Sequence, residues 1–366
     1  MLKLQPYIYN KTQLTTAQYF GHLTIAADGY ASKFRKNYHT HTPTSRSKFY
    51  ALELHDADLP APLHGHVLLG AGAPVLLYQI GTHDTRALID VPENTPTASV
   101  AAGGVKSHLR NTVLPSLPPS VQPSFELALN EGKLRSMPNS FLPASTNTHA
   151  GLLILGDAMN MRHPLTGGGM TVALNDVLLL SDLLCPTTIP SLSHTPSVLA
   201  AAKHFHWRRK NLTAVINILA QALYALFAAD DAQLRALQRG CFRYFQRGGE
   251  CVDGPVGLLA GIIRRPIVLV YHFFAVAVLA MWLFVFEPEA QAKPELVKET
   301  PMSKLDQEME EEQKREVEQL EERKGGMGRR GLDYYLTIPW RLLMSWGVLW
   351  KACVVIFPYI FSELRS

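Results

Sequence analysis

The stretch Gly151–Leu184 (GLLILGDAMNMRHPLTGGGMTVALNDVLLLSDLL) constrains this chain more than any other part of it. It opens on an apolar run, Leu152–Leu155, short enough for a buried strand. Gly156-Asp157 stands at the strand's C-terminal end, followed by a polar, Pro-containing loop and then Gly167-Gly168-Gly169. Val172, Val177, Leu180 and Leu184 come next on roughly helical spacing. The pattern predicts a strand, a loop, and a helix whose first turn carries almost no side chains. Two readings fit it. In one, the glycines let a flat ligand approach the backbone closely, and the free amides and positive end of the helix face its electron-rich edge. Ligands of open α/β sheets bind beyond the C-terminal ends of strands, where Asp157 could accept hydrogen bonds from sugar-like hydroxyls. In the other, the glycine-rich segment is only a tight connection.

Composition narrows the context. A chain of 366 residues can bury a full core and hold two domains, or one domain with an appendage. Only 18% of its residues are charged, and the formal net charge is +4. No basic stripe with interleaved aromatics occurs, which disfavours nucleic-acid binding. The cysteines (Cys185, Cys241, Cys251, Cys353) are widely spaced without any CxxC, so neither zinc nor a disulfide framework is expected, and a reducing compartment fits. The opening MLKLQPYIYNKTQ lacks the apolar core of a signal peptide.

A second strand tip precedes the first in sequence. His22–Ala27 is a short β-like run that delivers Asp28-Gly29 and then a basic, helix-forming segment, Tyr30–Lys36. Such a corner suits a phosphate or a ribose, although most Asp-Gly pairs are plain turns. Ser32, Lys33 and Arg35 read as solvated helix residues. Between Lys48 and Val91, short β-branched and aromatic runs punctuated by Gly, Pro and Asp predict a sheet. His64 and His66 flank a glycine but have no further ligands nearby, so loop positions are expected instead of a metal pair. His83 and Asp84 lack any G-x-S-x-G partner and read the same way. Val105–Ser145 is Pro-rich with helical intervals such as Ser124–Glu131, and a turn is expected before Met137-Pro138-Asn139. Residues 186–197 read as a loop. Val198–Phe227 reads as a long helix with Val215, Ile218, Leu219, Ala222 and Leu226 as its apolar stripe and Trp207–Lys210 at the surface.

The string GDAMNMRHPLTGGGMTVALND resembles the GD motif of squalene epoxidases (squalene monooxygenases), and ADGYASKFRK resembles their DG motif. The run GHVLLGAGAPVLLYQIGTHDTRALIDVP is similar to the family's substrate-domain sheet. The segment from Leu223 to Ile262 is similar to the helical C-terminal region of the fungal members. The resemblance implies an α/β (α+β) fold: a partial FAD-binding, Rossmann-like domain of the flavoprotein monooxygenase type, a β-sheet substrate domain, and a C-terminal helical, membrane-associated region. It implies FAD contacts at Asp28 and Gly29, at Gly156 and Asp157 for the ribityl–pyrophosphate part, and at Pro164, Leu165, Gly168, Gly169 and Met170 beside the isoalloxazine ring. The activity it implies is epoxidation of squalene by molecular oxygen to (S)-2,3-oxidosqualene in sterol (ergosterol) synthesis. Electrons would come from NADPH through NADPH-cytochrome P450 reductase. No catalytic acid/base pair and no metal is needed, because the flavin carries the oxygen chemistry. An apolar tunnel through the helical region would suit a polyene without directional groups.

Pro266–Phe286 carries no formally charged residue and is long enough to cross a bilayer core. Arg264 and Arg265 before it favour a cytosolic position for the preceding globular part. Tyr334–Phe361 is also apolar but contains Arg341, Lys351, Pro339 and Pro358, and reads as an interfacial or re-entrant element. Between them, Asp306–Glu322 holds nine acids against two bases, a solvated helix or linker. A monotopic anchor in membrane lipid, on the cytosolic face of the endoplasmic reticulum, keeps both basic flanks on one side. The expected division is 1–47 (DG segment), 48–145 (substrate sheet), 146–185 (GD segment), 186–265 (helical region), 266–286 (membrane helix), 287–330 (charged linker) and 331–366 (interfacial or membrane-associated helix).

No G-x-G-x-x-G precedes Asp28, and the resemblance covers about residues 22–286, the second half of the family. The expectation is therefore an N-terminally truncated chain. The alternative function is a catalytically inactive, membrane-bound remnant. A third reading, an FAD hydroxylase acting on an aromatic, fits the two short motifs but explains neither the apolar tail nor the full GD string.

Overall fold

The computed structural model describes residues 20–69, 73–229, 231–287 and 327–365, with side chains from 338 onward in the last segment. The first nineteen residues and most of the expected charged linker lie outside the described residues. Two strands far apart in sequence begin the architecture. Strand β1 (Thr24–Ala26) pairs in parallel with β7 (Leu152–Ile154), in the register Thr24↔Leu152, Ile25↔Leu153 and Ala26↔Ile154. The three residues of β7 are all buried, as its uninterrupted apolar run requires. The segment YASKFRK yields only a single helical turn, α1 (Arg35–Tyr38). It is too short to carry a basic helix face.

Between these paired strands the chain leaves to build an antiparallel sheet and then returns. Strands β2 (Thr44–His55), β3 (His66–Leu68), β4 (Val75–Gln79), β5 (Asp84–Pro92) and β6 (Arg135–Phe141) lie in the order β3-β4-β5-β2-β6. Inward residues Leu52, Leu54, Leu77, Ala87 and Ile89 share a core with Phe125 and Leu129. Those two belong to α3 (Gln122–Glu131), which lies against the sheet after the short helix α2 (Gly104–His108). Met137-Pro138-Asn139 belongs to β6, where Pro138 faces Lys48, and the bend before it falls at Gly132. Because β6 lies at the sheet edge, a residue without an N–H can be accommodated there.

The remainder is helical. Helix α4 (Gly169–Leu183) follows β7, and α5 (Thr195–Phe227) runs through the centre of the molecule. The expected surface patch on α5 is a correction. Trp207 is exposed, but Arg209 is 1% exposed and binds the equally buried Asp176 of α4 through both carboxylate oxygens, at 2.9 and 2.5 Å. A buried guanidinium needs such a partner, since an isolated buried charge costs several kcal/mol. Helices α6 (Ala232–Phe245), α7 (Glu250–Leu259), α8 (Pro266–Phe286) and α9 (Met327–Arg365) close around the lower half of α5. Their core joins Val215, Leu219 and Leu226 to Leu237, Phe273, Ala277, Val348 and Ile356. The C-terminal apolar stretch is one continuous helix with both prolines inside it, not a re-entrant turn.

Among the described residues, three helices are long and apolar enough to cross a membrane, within Thr195–Phe227, Pro266–Phe286 and Ile338–Arg365. The apolar surface of α5 is largely consumed inside the protein, whereas α8 exposes Ile267, Tyr271, Val278 and Trp282, and α9 exposes Trp346 and Trp350. Helices α6 and α8 cross where Gly240 meets Ala280, and a Cβ on Gly240 would stand 2.5 Å from the Ala280 Cβ. Gly240→Val must therefore push the two helices apart. It is expected to lower stability by about 1–3 kcal/mol, read as a fall in the thermal midpoint of the detergent-solubilised protein, whereas Gly65→Val, where open space surrounds the position, should not.

Candidate functional site

The parallel register of β1 and β7 sets Asp28-Gly29 beside Gly156-Asp157 at the C-terminal ends of neighbouring strands. The ladder continues one step further, with the Leu155 amide donating to the Ala26 carbonyl at 2.9 Å. A single side chain then ties the two loops together. Arg35, 8% exposed, donates from Nε to the Ala158 carbonyl (3.1 Å) and from Nη1 to Tyr30 (2.8 Å). Its Nη2 donates to the carbonyls of both Gly29 (3.1 Å) and Asp157 (2.9 Å). Burial holds its pKa below the ordinary value, with Asp28 and Asp157 opposing that shift. The reading of Arg35 as a solvated helix residue is thus corrected: it is the clamp between the two motifs. Asp28 itself is exposed and accepts from the Lys33 amide at 2.9 Å, which fixes the turn around Gly29.

A cleft of about 380 Å³ opens at this junction, lined by Gly29, Asp157, Arg162, Pro164, Gly167, Gly169, Met170 and Ala173. Five of the nine expected ligand residues, Gly29, Asp157, Pro164, Gly169 and Met170, therefore share one cavity. Asp28 and Gly156 flank it in sequence. The other two turn toward protein: the Leu165 side chain packs with Phe49 and Leu76, and Gly168 is pressed against α5, where a Cβ would lie 2.6 Å from Ile216. The three glycines thus have separate tasks. Gly167 adopts φ +65°, a conformation natural to glycine, Gly168 allows the close approach to Ile216, and Gly169 leaves the cleft wall bare. Sequence reasoning missed Arg162, Gly167 and Ala173. Arg162 lies inside the GD string, but an arginine in a polar loop reads as solvated, and only the tertiary structure buries it.

The loop is also anchored on its far side. His163 Nδ1 accepts from the Leu165 amide at 3.2 Å, so the ring proton sits on Nε2, 3.5 Å from Ser47 Oγ and 3.9 Å from Asp90 Oδ1. The imidazole stacks on Tyr224 of α5, with centroids 3.9 Å apart, and meets Phe49 edge-on. Asn139 donates to both Ser47 Oγ (3.0 Å) and Asp90 Oδ1 (2.7 Å). Burial pushes the Asp90 carboxyl up and the His163 imidazole down from 6.5 to about 4. His83 lies in a bend and pairs with Asp56 at 2.6 Å, whereas His66 opens β3 and Asp84 opens β5 instead of lying in loops, and His66 accepts from the Ala61 amide.

A sequence model of the squalene epoxidase family matches residues 20–297. The chain belongs to the squalene epoxidase family. It is 56% identical to squalene epoxidase erg1 of Aspergillus fumigatus, over 95% of this chain and 62% of that protein. It is 61% identical to squalene epoxidase ERG1 of Gibberella zeae, over 72% of this chain and 53% of that protein. The mouse squalene monooxygenase is 39% identical over 94% of this chain and 51% of its own length. The chain thus spans between about half and three-fifths of these relatives. Among solved structures, Klebsiella pneumoniae HpxO complexed with FAD and uric acid aligns with a TM-score of 0.53 at 20% identity, covering 70% of this chain and 63% of that one. That likeness is one of fold, and it agrees with the expected α/β class.

Two outcomes follow from the anchors of this site. Arg35→Lys keeps the charge but replaces a planar fork serving four carbonyls by one ammonium. It is expected to cost about 2–3 kcal/mol and to accelerate amide exchange in the loop at 156–159. His163 is neutral in the fold and titrates more readily when unfolded, so its contribution is present above 6.5 and is lost as pH falls toward about 4. Chemical denaturation across that window should show wild type losing up to about 3 kcal/mol more than His163→Gln. The raised Asp90 carboxyl acts in the opposite direction in both proteins, and the difference between them removes it.

Proposed function

We propose that this chain forms the GD-motif-bearing part of an FAD-dependent monooxygenase that epoxidises squalene to (S)-2,3-oxidosqualene in sterol (ergosterol) synthesis. One observation carries the reading: Gly29, Asp157, Pro164, Gly169 and Met170, from two motifs distant in sequence, line one cleft at adjoining strand tips. The residues present fit a flavin nucleotide. The cleft presents bare backbone at Gly29, Gly167 and Gly169, where open space lies at each Cβ position, and an exposed carboxylate at Asp157. Its wall contains the start of α4, whose amides and positive end favour an electron-rich edge. Asp157 would accept from ribityl hydroxyls, Asp28 and Gly29 would border the nucleotide, Gly156 would let the backbone turn beneath it, and Pro164, Gly169 and Met170 would border the ring, with Leu165 and Gly168 packed behind them against Phe49 and Ile216.

When bound, FAD supplies the activation of oxygen. The chain's own residues bind, orient and exclude water. Squalene offers no group for directional recognition, so an apolar wall is what it needs. Leu223, Tyr224 and Phe227 of α5 pack with Leu165, Phe49 and Leu76 in an apolar cluster behind the GD loop. The antiparallel sheet, which begins at Thr44 and so carries the expected 48–145 segment four residues further toward the N-terminus, is read as the substrate side, and the DG segment before it and 146–185 as the cofactor side. The exposed apolar residues of α8 and α9 support attachment to membrane lipid, on the cytosolic face of the endoplasmic reticulum with a monotopic anchor. Molecular oxygen is the co-substrate, and NADPH delivers electrons through NADPH-cytochrome P450 reductase.

The protein purified in detergent is expected to bind FAD and turn yellow, with an absorbance that bleaches on reduction. Asp157→Ala should lower flavin retention at least about tenfold, whereas Asp84→Ala, whose carboxylate lies 3.1 Å from His55 on the outer sheet, should leave it unchanged. A wild-type protein that stays colourless with added FAD, or an Asp157→Ala protein with undiminished flavin, overturns the assignment.

A further inference from the structure

The cleft wall contains a cation that its own loop does not satisfy. Arg162 is 7% exposed. Its Nη1 donates to the Gly168 carbonyl at 3.3 Å, and its Nη2 to the carbonyl and Oδ1 of Asn160 at 3.0 and 2.8 Å. The Nε–H has no acceptor among the described residues. A buried charged donor left without an acceptor is costly, and because the Arg162 side chain lines the cleft, its positive charge faces whatever occupies that space. The guanidinium is bonded to the carbonyl of Gly168, the residue just before α4, so its charge and the positive end of the helix act on the same space. Burial lowers the Arg162 pKa to about 10, which leaves it a cation at neutral pH.

What holds Arg162 in place comes from the other end of the chain. Asn160 Oδ1 accepts from Arg162, from Asn217 Nδ2 at 3.2 Å and from Arg209 Nη2 at 3.5 Å. Asn217 also donates to Glu363 Oε1 at 2.7 Å. Glu363 is 3% exposed and rides on α9, and its carbonyl accepts from Lys210 Nζ at 2.6 Å. Arg162 and Arg209 are thus buried with Asp176 and Glu363, two cations with two anions. The hydrogen bonds run without a gap from the apolar terminal helix to the cleft.

We infer that Arg162 is a cofactor-binding cation of this cleft, facing the electron-rich carbonyl edge of a flavin ring, and that Glu363 is the positioning residue that holds it through Asn217 and Asn160. The first half rests on the flavin reading above; the second concerns the protein alone. Its consequence is that the cleft is complete only while the terminal helix is docked.

The test uses the full chain in detergent and two readouts. Without FAD, hydrogen exchange over residues 157–170 should quicken about tenfold or more in Glu363→Ala. Glu363→Gln, which keeps the Oε1 acceptor, should remain within about threefold of wild type. Val348→Ala, a core truncation on the same helix, should lower the thermal midpoint while leaving exchange in that loop unchanged. With FAD titrated in its oxidised and chemically reduced states, Arg162→Met should weaken binding of the reduced, more negative form about tenfold more than the oxidised form. Unchanged loop exchange in Glu363→Ala, or the same acceleration in Val348→Ala, overturns the positioning role. An equal effect of Arg162→Met on both redox states overturns the ligand role. A wild type that rejects FAD in both states overturns the ligand role together with the flavin reading, while the exchange data still decide the role of Glu363.

Discussion

The parallel pairing of β1 with β7 is the constraint on which the rest of this molecule depends. Each strand is only three residues long, and between them lies the whole antiparallel sheet with its covering helix. Two short parallel strands have little stability of their own. They are held by what surrounds them. The apolar side chains of β7 sit in a core with Leu180, Leu183, Val198 and Phe205 from α4 and α5, and Arg35 joins the loops that leave both strands. Because β1 and β7 point the same way, two loops from separate parts of the chain emerge side by side. That adjacency makes the cleft.

Charge inside the protein is arranged around the same loop. The GD loop is pinned on one side by His163, Ser47, Asp90 and Asn139 against the sheet, and on the other by Asn160 and Arg162 against α4, α5 and α9. Low-dielectric surroundings strengthen such contacts and make incomplete ones expensive. A loop bolted at both ends can hold its backbone open toward a ligand without collapsing on itself. The second of these clusters links the loop to the terminal helix, so α9 and a cleft far from it in sequence share hydrogen bonds.

Much of this was legible in the residues. The strand–loop–helix at Gly151–Leu184, the β-rich region after Lys48 and the uncharged run at Pro266–Phe286 all follow from periodicity, because each is a local pattern that its own surroundings satisfy. Membership of the squalene epoxidase family rests on the long GD string and on the match across residues 20–297. The misreadings share one cause. Arg35 and Arg209 stand among polar neighbours in sequence and look solvated. Each is buried because a partner distant in the chain, respectively the Asp157 loop and Asp176, receives its charge.

The sequence by itself determined the elements, their order and the chemistry of the motifs, since glycine freedom, apolar spacing and a 21-residue run without formal charge act within a few turns of chain. Only the tertiary structure decided which motif residues face the cleft. Leu165 and Gly168 turn to Phe49 and Ile216, while Gly169 and Met170 turn outward. The reason is that facing is set by what packs behind the loop, and what packs behind it comes from β2 and α5, whose positions no local pattern specifies.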